Sequence, residues 1–459
     1  MKTIVAVLAL LGVFAPPALA QKQSPPEGGT PKDFTLPAST TITFDNGIRA
    51  TLVPYGSIPK VAVSIAVFAG NYNEKDAESG LADVVGTLLK EGTVTRTAKQ
   101  IAEEAAGMGG DVTVTVTGER TLVGGAALSE FAPAFVGLLA DVVMNPAFPA
   151  SELERIKADQ LRQIAIMRTQ PRVLGQIAFS KILYKGFPQG RDLPADDMVR
   201  GFTLDDVKRF YGEQFGAGRT HVYVAGMFDA KKMEEAIRRA FGTWKKGPEP
   251  SFAMAKPFSS RAIYLVDRPG APQSTIMMGL PVKDPSQGGY RPLQVTNALL
   301  GGSFSSRITA NIRENKGYTY SPNSSVTAGY RTAHWVQVAD VSTPVTGASL
   351  KEIFYEIDRL QTEAPPEAEL AAIKNYMAGV FVLQNSNPGS IIAQMQFLDL
   401  HGLPQSYLTD AVKTIHAVTP EDVRTIMNDQ IRDTDMTIVI VGDRKVIEKQ
   451  VAPYGKIMN

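Results

Sequence analysis

The segment that decides the fold is residues 79–93, SGLADVVGTLLKEGT. Apolar residues recur in it every three or four positions, which is the spacing of one face of an α-helix. These residues are Leu81, Val84, Val85, Leu88 and Leu89. Three others, Asp83, Gly86 and Thr87, fall on the opposite face and are expected to face solvent. Because glycine inside a helix is costly, the close approach of a partner or of backbone is the alternative interpretation of Gly86. The pattern predicts an amphipathic helix whose apolar stripe packs on a core.

The three residues of that outer face hold the offsets of a catalytic pattern. Zinc peptidases with the inverted H-x-x-E-H motif carry two His ligands and a Glu base at these positions. Here the positions read Asp83, Gly86 and Thr87. A carboxylate can bind a metal, but glycine offers no general base and threonine is a poor zinc ligand. The helix therefore has the spacing of a catalytic helix without its catalyst.

The composition is that of an ordinary soluble protein. The chain has 459 residues, of which 44% are hydrophobic and 20% charged, and this length suits roughly two to four domains. The formal net charge of +1 provides no field that would attract nucleic acid or an acidic membrane. The absence of cysteine excludes thiolate zinc sites, cysteine nucleophiles and disulfides.

Residues 1–20 are predicted to be an export signal. Lys2 supplies the positive end, residues 4–14 the apolar segment, and Ala-Leu-Ala at 18–20 a cleavage site. A short N-terminal anchor is the alternative, but the apolar segment is well below the ~20 residues that span a bilayer. Residues 21–37 are predicted to be a flexible leader. We therefore expect a periplasmic protein that is cleaved after Ala20 and not inserted in a membrane.

Two parts of the chain repeat each other. TLDDV at 203–207 and TPEDV at 419–423 each open a helix with a threonine N-cap and an acidic first turn. Each helix is followed by a buried strand that ends in glycine, at 221–226 and 437–442. So long a period indicates a duplicated domain.

The duplication sets the expected domain organisation. We predict an N-terminal domain at 38–246, a proline-containing linker at 247–259 and a C-terminal domain at 260–456. The order of strands and helices predicts the α+β class, with each domain a mixed, largely antiparallel sheet covered by helices. An alternating strand at 111–117 presents Val112, Val114 and Val116 on one side.

Several motifs resemble the pitrilysin/insulinase family of zinc metallopeptidases, which includes the mitochondrial processing peptidase. Gly80-Leu81-Ala82 precedes the degenerate motif, Gly92-Thr93 follows it, and Met108-Gly109-Gly110 forms the family's glycine corner. In the second half, LLGGSFSSR at 299–307 runs into IRENKGYTYS at 312–321. The family has there a glycine-rich turn, an Arg-Glu helix and Gly-x-x-Tyr-Ser. The resemblance covers nearly the whole mature chain.

The resemblance implies that the zinc site is lost. The family's third zinc ligand is a Glu on a later helix, and counting from Thr87 without gaps places Gln163 there. A nearby family Glu falls on Ile156. The degenerate zinc-motif positions are thus Asp83, Gly86, Thr87 and Gln163, and no metal or other cofactor is expected in this chain.

The resemblance also implies a substrate-binding pair. Arg313 and Tyr320 match the Arg and Tyr that bind substrate in active members. In bacterial two-subunit members one chain carries the zinc motif and its partner carries this pair, so the present chain resembles the partner. Arg313 has an alternative interpretation as a solvated helix residue beside Glu314. The two side chains can converge only if the chain turns back at Gly317.

Other sites of chemistry receive less support. The four histidines, at 221, 334, 401 and 416, include no helical metal pair, and His221 and His334 are interpreted as core or edge residues. Ser303 lacks the final glycine of a nucleophile elbow. In the family a peptide substrate adds to the strand that corresponds to 111–117, although this chain has Thr113-Val114 where the family prefers Asn-Ala.

These observations give one leading hypothesis and two alternatives. The leading hypothesis is a non-catalytic, substrate-binding subunit of a periplasmic zinc metallopeptidase, which acts on peptides with a homologous partner that carries the zinc motif. The first alternative is a purely structural or binding relative, like the core subunits of respiratory complexes. The second is a self-sufficient peptidase with a divergent metal site.

Overall fold

A computed structural model describes residues 35–458 of the chain. The predicted signal peptide and residues 21–34 of the predicted leader lie outside this range. Within it, no helix combines the length and the apolar character needed to cross a bilayer. The fold is α+β, as predicted, and contains two six-stranded sheets.

The N-terminal half is built on the first sheet. Its strands are β1 (Thr40–Thr43), β2 (Arg49–Pro54), β3 (Lys60–Val67), β4 (Thr113–Val116), β5 (Thr121–Leu128) and β6 (Thr220–Gly226). They lie in the order β1-β2-β6-β3-β5-β4, and every pair is antiparallel except β2 with β6. The helices are α1 (Leu81–Leu89), α2 (Ala98–Gly107), α3 (Ala132–Met144), α4 (Ala150–Met167), α5 (Pro171–Leu183), α6 (Asp196–Gly201), α7 (Leu204–Gln214) and α8 (Ala230–Phe241).

The C-terminal half repeats this plan. Its strands are β7 (Ala262–Asp267), β8 (Gln273–Pro281), β9 (Asn323–Gly329), β10 (Thr332–Ser342), β11 (Thr437–Gly442) and β12 (Lys456–Met458), in the order β12-β7-β11-β8-β10-β9. Its helices are α9 (Tyr290–Asn297), α10 (Arg307–Thr309), α11 (Thr346–Thr362), α12 (Glu367–Gln384), α13 (Pro388–His401), α14 (Ser406–Thr409), α15 (Ala411–Ala417), α16 (Pro420–Gln430) and α17 (Arg444–Val451). The predicted linker 247–259 falls between α8 and β7, where the chain forms neither helix nor strand.

The repeated capping motif forms in both halves, as the sequence predicts. The Thr203 hydroxyl accepts the N–H of Asp206, and the Asp206 carboxylate accepts the N–H of Thr203 at 3.0 Å. Thr419 and Asp422 form the same reciprocal pair at the start of α16. At the N-terminus of each helix, two otherwise unpaired backbone N–H groups thereby gain an acceptor. The caps fix where α7 and α16 begin and so where the central strands β6 and β11 enter their sheets.

The two halves exchange one helix each. Helix α5 of the N-terminal half packs on β8 and β11 of the second sheet, where Phe179 and Leu183 are buried against Met277 and Val439. Helix α13 of the C-terminal half packs on β3 and β6 of the first sheet. Residues of α12, α14 and α15 join α13 in this cluster, and the other helices cover the opposite faces of the sheets. Each sheet is therefore buried on both faces, and one of the two layers comes from the other half.

A buried polar cluster holds α13 on the first sheet. Asp399 lies on α13, and its Oδ2 is 2.8 Å from His221 Nδ1 and accepts the Tyr223 hydroxyl at 2.5 Å. Burial alone would raise the pKa of Asp399, but His221, Tyr223 and Arg49 hold it below its usual value. His221 is 1% exposed, in agreement with its interpretation as a core histidine.

Helix α1 is buried more completely than its sequence suggests. All five residues of the predicted stripe are buried, and Asp83 is exposed. The expectation that Gly86 faces solvent is wrong, because the edge strand β4 crosses that face of the helix. A Cβ on Gly86 would lie 2.4 Å from Val116 Cγ2 and 3.6 Å from Val114 Cγ1. Thr87, also expected outside, is half-buried.

Replacement of Gly86 by alanine should destabilise the protein. The added methyl group must displace Val116, and overpacking of this kind costs about 1–3 kcal/mol, more than the roughly 1 kcal/mol that alanine gains in a helix. We expect the free energy of unfolding to fall in Gly86→Ala and to recover when Val116→Ala is added. Denaturant titration of the single and double variants measures both changes.

Gly107→Ala is the matched control for this experiment. Gly107 lies in α2, and its added Cβ would meet no atom within 4 Å. Its replacement should leave the stability unchanged or raised. A Gly86→Ala variant as stable as the natural chain would contradict the close approach of β4 to α1.

Candidate functional site

A cleft lies where the sequence pattern places the lost zinc site. Its volume is about 380 Å³, and it lies between α1, α4 and the segment Leu193-Pro194. Asp83, Thr87 and Gln163 all line it, so the structure brings together three of the four predicted positions. Gly86, the fourth, packs under β4. The floor is apolar and includes Ile156, the residue at the nearby family Glu position.

The side chains of this cleft are not a zinc ligand set. Asp83 Oδ2 accepts the Asn71 amide at 2.9 Å, and the Thr87 hydroxyl donates to the Asp83 carbonyl at 2.9 Å. Gln163 is a neutral amide, and Asp159 is paired with Arg155 and Arg162. Across residues 35–458, no group of three His, Asp or Glu side chains could hold a metal ion. Zinc prefers His and carboxylate ligands in a tetrahedral set, and these residues do not fit it.

A buried carboxyl group anchors the N-terminus of α1. Glu74 is 5% exposed, and its Oε1 accepts the backbone N–H groups of Gly80 at 3.1 Å and Ala82 at 2.8 Å. Burial raises the pKa of Glu74 to about 7, although these N–H groups favour the charged form. Sequence analysis missed this residue. Its signal was the absence of a side-chain cap at Gly80, which leaves helical N–H groups in need of an acceptor.

A second contact ties α1 to α4. Gln160 Nε2 donates to the Gly80 carbonyl at 2.8 Å. Gly80 has a φ of +92°, and a Cβ there would lie 2.8 Å from that same amide nitrogen. Glycine is needed for both reasons. Helix α1, which carries the degenerate motif, is thus held in place by Glu74 and Gln160.

The structure brings Arg313 and Tyr320 together. Arg313 lies in a π-helical turn, Ala310–Asn315, and its guanidinium carbon is 5.2 Å from the centroid of the Tyr320 ring. The chain turns back at Gly317, where φ is +64°, and the Tyr318 N–H donates to the Ile312 carbonyl at 2.8 Å. The reversal that convergence requires is therefore present.

A third residue completes this group. Phe304, from the glycine-rich turn, places its ring centroid 4.3 Å from the Arg313 guanidinium carbon. Tyr320 is 83% exposed and Phe304 73%, which is unusual for large rings unless they contact something else. Arg313 also lies 3.4 Å from a Glu314 carboxylate oxygen. Sequence analysis quoted Phe304 only as part of the turn and gave it no role.

Neighbouring Arg307 differs sharply from Arg313. Its guanidinium makes a bidentate pair with Glu369, at 2.9 and 2.8 Å, and its side chain is 9% exposed. It is a structural residue that links α10 to α12. Of the two arginines, only Arg313 presents its donors at an exposed aromatic surface.

Glu74 should make stability depend on pH. Because its pKa is raised in the folded protein from 4.5 to about 7, the neutral form is favoured by folding. Its stabilising contribution is complete below pH 4.5 and is lost as the pH rises to about 7, by roughly 1.4 kcal/mol per pKa unit. The stability of Glu74→Gln relative to the natural chain should therefore increase over this range, as measured by denaturant unfolding at each pH.

The exposed Glu103→Gln exchange on α2 serves as the comparison for Glu74→Gln. It should give a stability curve parallel to that of the natural chain between pH 4.5 and 8. If Glu74→Gln also runs parallel, the carboxyl group has the same pKa in the folded and unfolded states, and the stated pKa direction is wrong.

The isolated chain should bind no stoichiometric zinc and cleave no peptide. The reason is that ligands and general base are replaced together at Asp83, Gly86, Thr87 and Gln163, so restoring any single position should not rescue activity. Metal analysis after dialysis, with a peptidase assay on the same sample, tests this. One tightly held zinc per chain with chelator-sensitive cleavage would overturn it.

Comparison with known proteins places these features in a family. The model of "Insulinase (Peptidase family M16)" matches residues 53–196, and that of "Peptidase M16 inactive domain" matches residues 201–377. An uncharacterised zinc protease of Rickettsia felis is 29% identical over 61% of this chain and 68% of its own length. One of Streptomyces coelicolor is 24% identical over 84% of this chain and 86% of its own.

Solved structures agree on the fold. A structure described as a peptidase M16 inactive domain from Pseudomonas fluorescens superposes with a TM-score of 0.81 at 24% identity, over 88% of this chain and 98% of its own. A protease from Helicobacter pylori gives 0.82 at 18% identity, over 89% and 100%. Identities this low speak for the fold alone, whereas the two family models between them span most of the described residues. The chain belongs to the M16, or insulinase, family of peptidases and lacks that family's zinc motif.

Proposed function

We propose that this chain is the non-catalytic, substrate-binding subunit of a periplasmic zinc metallopeptidase. The observation that carries the proposal is a contrast within one chain. The zinc positions are chemically disabled, while the pair of half-buried Arg313 and exposed Tyr320 is intact and held in a defined arrangement. A homologous partner would supply the zinc motif. The export signal predicted at residues 1–20 supports the periplasmic location.

The arrangement of Arg313 suits binding to a peptide backbone. Its guanidinium offers five N–H donors in a rigid plane. The rings of Phe304 and Tyr320 both contact the guanidinium and so limit its orientation. The Tyr320 hydroxyl adds a further donor on the exposed surface. Carbonyl oxygens of an extended peptide are the matching acceptors. These groups would bind and orient the substrate, and they would favour a carbonyl on which negative charge develops.

The edge strand β4 offers a second contribution. Its outer backbone groups are unpaired within the sheet, since β4 is the last strand in the order. An extended peptide can add to such an edge through main-chain hydrogen bonds. Thr113 donates its hydroxyl to the Gly124 carbonyl at 3.0 Å, so this side chain is occupied inside the sheet and leaves the main chain to bind.

The first test is assembly with a partner. An enclosed peptide chamber in this family needs four homologous domains, and this chain has two. Co-expression with the homologue that carries the zinc motif should give a 1:1 complex by light scattering and peptidase activity that neither chain has alone. A chain that stays monomeric beside its homologue would favour the structural or binding alternative instead.

The second test concerns Arg313 and Tyr320 within that complex. Tyr320→Phe removes one exposed hydroxyl and keeps the ring, so the complex and its zinc content should persist. The loss of such a donor should lower kcat by about 10²–10³, and Arg313→Ala should act similarly with a higher KM.

Two matched controls are available for these variants. Tyr355 is an exposed tyrosine with Arg359 over its ring at 5.6 Å, so Tyr355→Phe repeats the chemical change elsewhere. Arg432 is an exposed arginine paired with nearby Asp435, and Arg432→Ala matches Arg313→Ala. Arg307 is unsuitable as a control because it is locked to Glu369. Cleavage at the natural rate by both site variants would reject the substrate-binding role.

A further inference from the structure

A second cavity lies at the seam between the two halves and shares no lining residue with the cleft beside α1. Its volume is about 260 Å³. The N-terminal half contributes the turn 117–119, Tyr72 and parts of the α5 region, and the C-terminal half contributes residues 327–329 of β9 with Thr332 and His334 of β10. The polar groups that matter are those of Tyr72, Glu119, Tyr184, Gln189, Thr332 and His334.

Glu119 is a carboxylate that makes no ion-pair contact among residues 35–458, although the charge of Arg120 acts on it through space. One of its oxygens accepts the backbone N–H of Tyr330 across the seam. Burial raises its pKa, and neither that N–H nor the charge of Arg120 offsets the effect. Among the ion pairs of residues 35–458, none includes Glu119. Glu119 is half-buried, and a charge partly shielded from water is stabilised by an opposite charge nearby, so this carboxylate favours a cation in the cavity.

The other titratable groups of the cavity are neutral near pH 7. Burial, with the charge of Glu119, raises the pKa of Tyr72 to about 12. Burial lowers the pKa of His334 to about 4, and its Nδ1 lies 2.8 Å from the Tyr184 hydroxyl. The lining contains no Lys or Arg. Glu119 therefore sets the sign of the electrostatic potential in the cavity.

Two further acceptors at the cavity are not fully used. Gln189 donates its amide to the Ala253 carbonyl at 3.0 Å, but its Oε1 is buried and has no hydrogen-bond partner. The hydroxyl of Thr332, a residue that is 6% exposed, makes no hydrogen bond of good geometry, although it lies close enough to Tyr184 to lower that pKa. A buried acceptor left unpaired costs about 1–3 kcal/mol. Gln189 Oε1 can therefore accept an N–H or O–H group of a bound molecule.

The walls suit a flat cation. The Tyr72 ring lies directly on the turn, since a Cβ on Gly118 would be 2.3 Å from Tyr72 Cζ, and Tyr184 lines the cavity as well. Cations are attracted to the faces of aromatic rings. A guanidinium group is planar, weakly hydrated and rich in N–H donors, whereas an ammonium group is compact and strongly hydrated. Water could satisfy Gln189, but it would leave Glu119 without an ion-pair partner.

We propose that this cavity binds a guanidinium group, carried either by a small molecule or by an arginine side chain of a peptide. Glu119 accepts its N–H groups, Gln189 Oε1 accepts another, and the rings of Tyr72 and Tyr184 line its sides. Because Thr332 and His334 belong to the other half, the ligand contacts both halves and stabilises their contact. The proposal is independent of any role in proteolysis.

Calorimetric titration of the full chain at pH 8 tests the proposal. The probes are Nα-acetyl-arginine amide and Nα-acetyl-citrulline amide, which have nearly the same shape and differ in the charge of the terminal group. We expect saturable 1:1 binding of the arginine probe and at least about ten-fold weaker binding of the citrulline probe, since charged hydrogen bonds are roughly twice as strong as neutral ones. The pentapeptide Gly-Gly-Arg-Gly-Gly distinguishes the sources, because only a cavity that accepts chain-borne arginine will bind it.

Glu119→Gln removes the charge and keeps an acceptor for the Tyr330 N–H, so the fold should persist. It should weaken binding of the arginine probe by about ten-fold or more, and the exposed Glu103→Gln should not. Equal binding of the two probes, natural binding by Glu119→Gln, or no saturable binding at millimolar concentrations would each overturn the proposal. The cavity would then hold water only.

Discussion

The exchange of one helix between the two halves is the constraint on which the rest of this structure depends. Each sheet is apolar on both faces, and its own half covers only one of them. Helices α5 and α13 cover the other faces, and the close fit is visible at Gly279, where a Cβ would lie 3.0 Å from the Phe179 ring. Neither half can bury its sheet alone, so the seam has a single geometry. The cluster around Asp399 adds polar specificity to that apolar contact. The residues that line the seam, including those of the cavity beside Glu119, are therefore held in fixed positions.

The missing zinc chemistry and the packing of α1 both depend on the glycine at position 86. Glycine at position 86 removes the general base and also lets Val116 of β4 approach the helix. At the other positions Asp83, Thr87 and Gln163 line an open cleft with an apolar floor. The helix itself persists because its burial, its Glu74 anchor and its Gln160 contact do not depend on a metal. In this chain the helix that carries the degenerate motif is a structural element.

The exposed group around Arg313 shows the opposite balance. Phe304 and Tyr320 are far more exposed than large rings usually are, and they hold an arginine that makes no buried ion pair. Arg307, six residues earlier, is fully committed to Glu369. These rings do not pack in the hydrophobic core; they contact the Arg313 guanidinium and hold its orientation. Such an arrangement is stable enough to persist and open enough to bind a partner group.

The sequence by itself determined what depends on neighbours along the chain. The stripe of α1, the capping boxes at Thr203 and Thr419, the alternation of β4 and the duplicated α+β plan all follow from interactions within a few residues. The motifs around Arg313 and Tyr320 marked that pair, but only the reversal at Gly317 and the ring of Phe304 decided its geometry. The face of Gly86 was assigned wrongly, because helical periodicity does not record that a strand crosses the polar side. The exchange of α5 and α13, the Glu74 anchor and the cavity at the seam join residues tens to hundreds of positions apart. An amphipathic pattern says that a face must be buried, and only the tertiary structure decides against what.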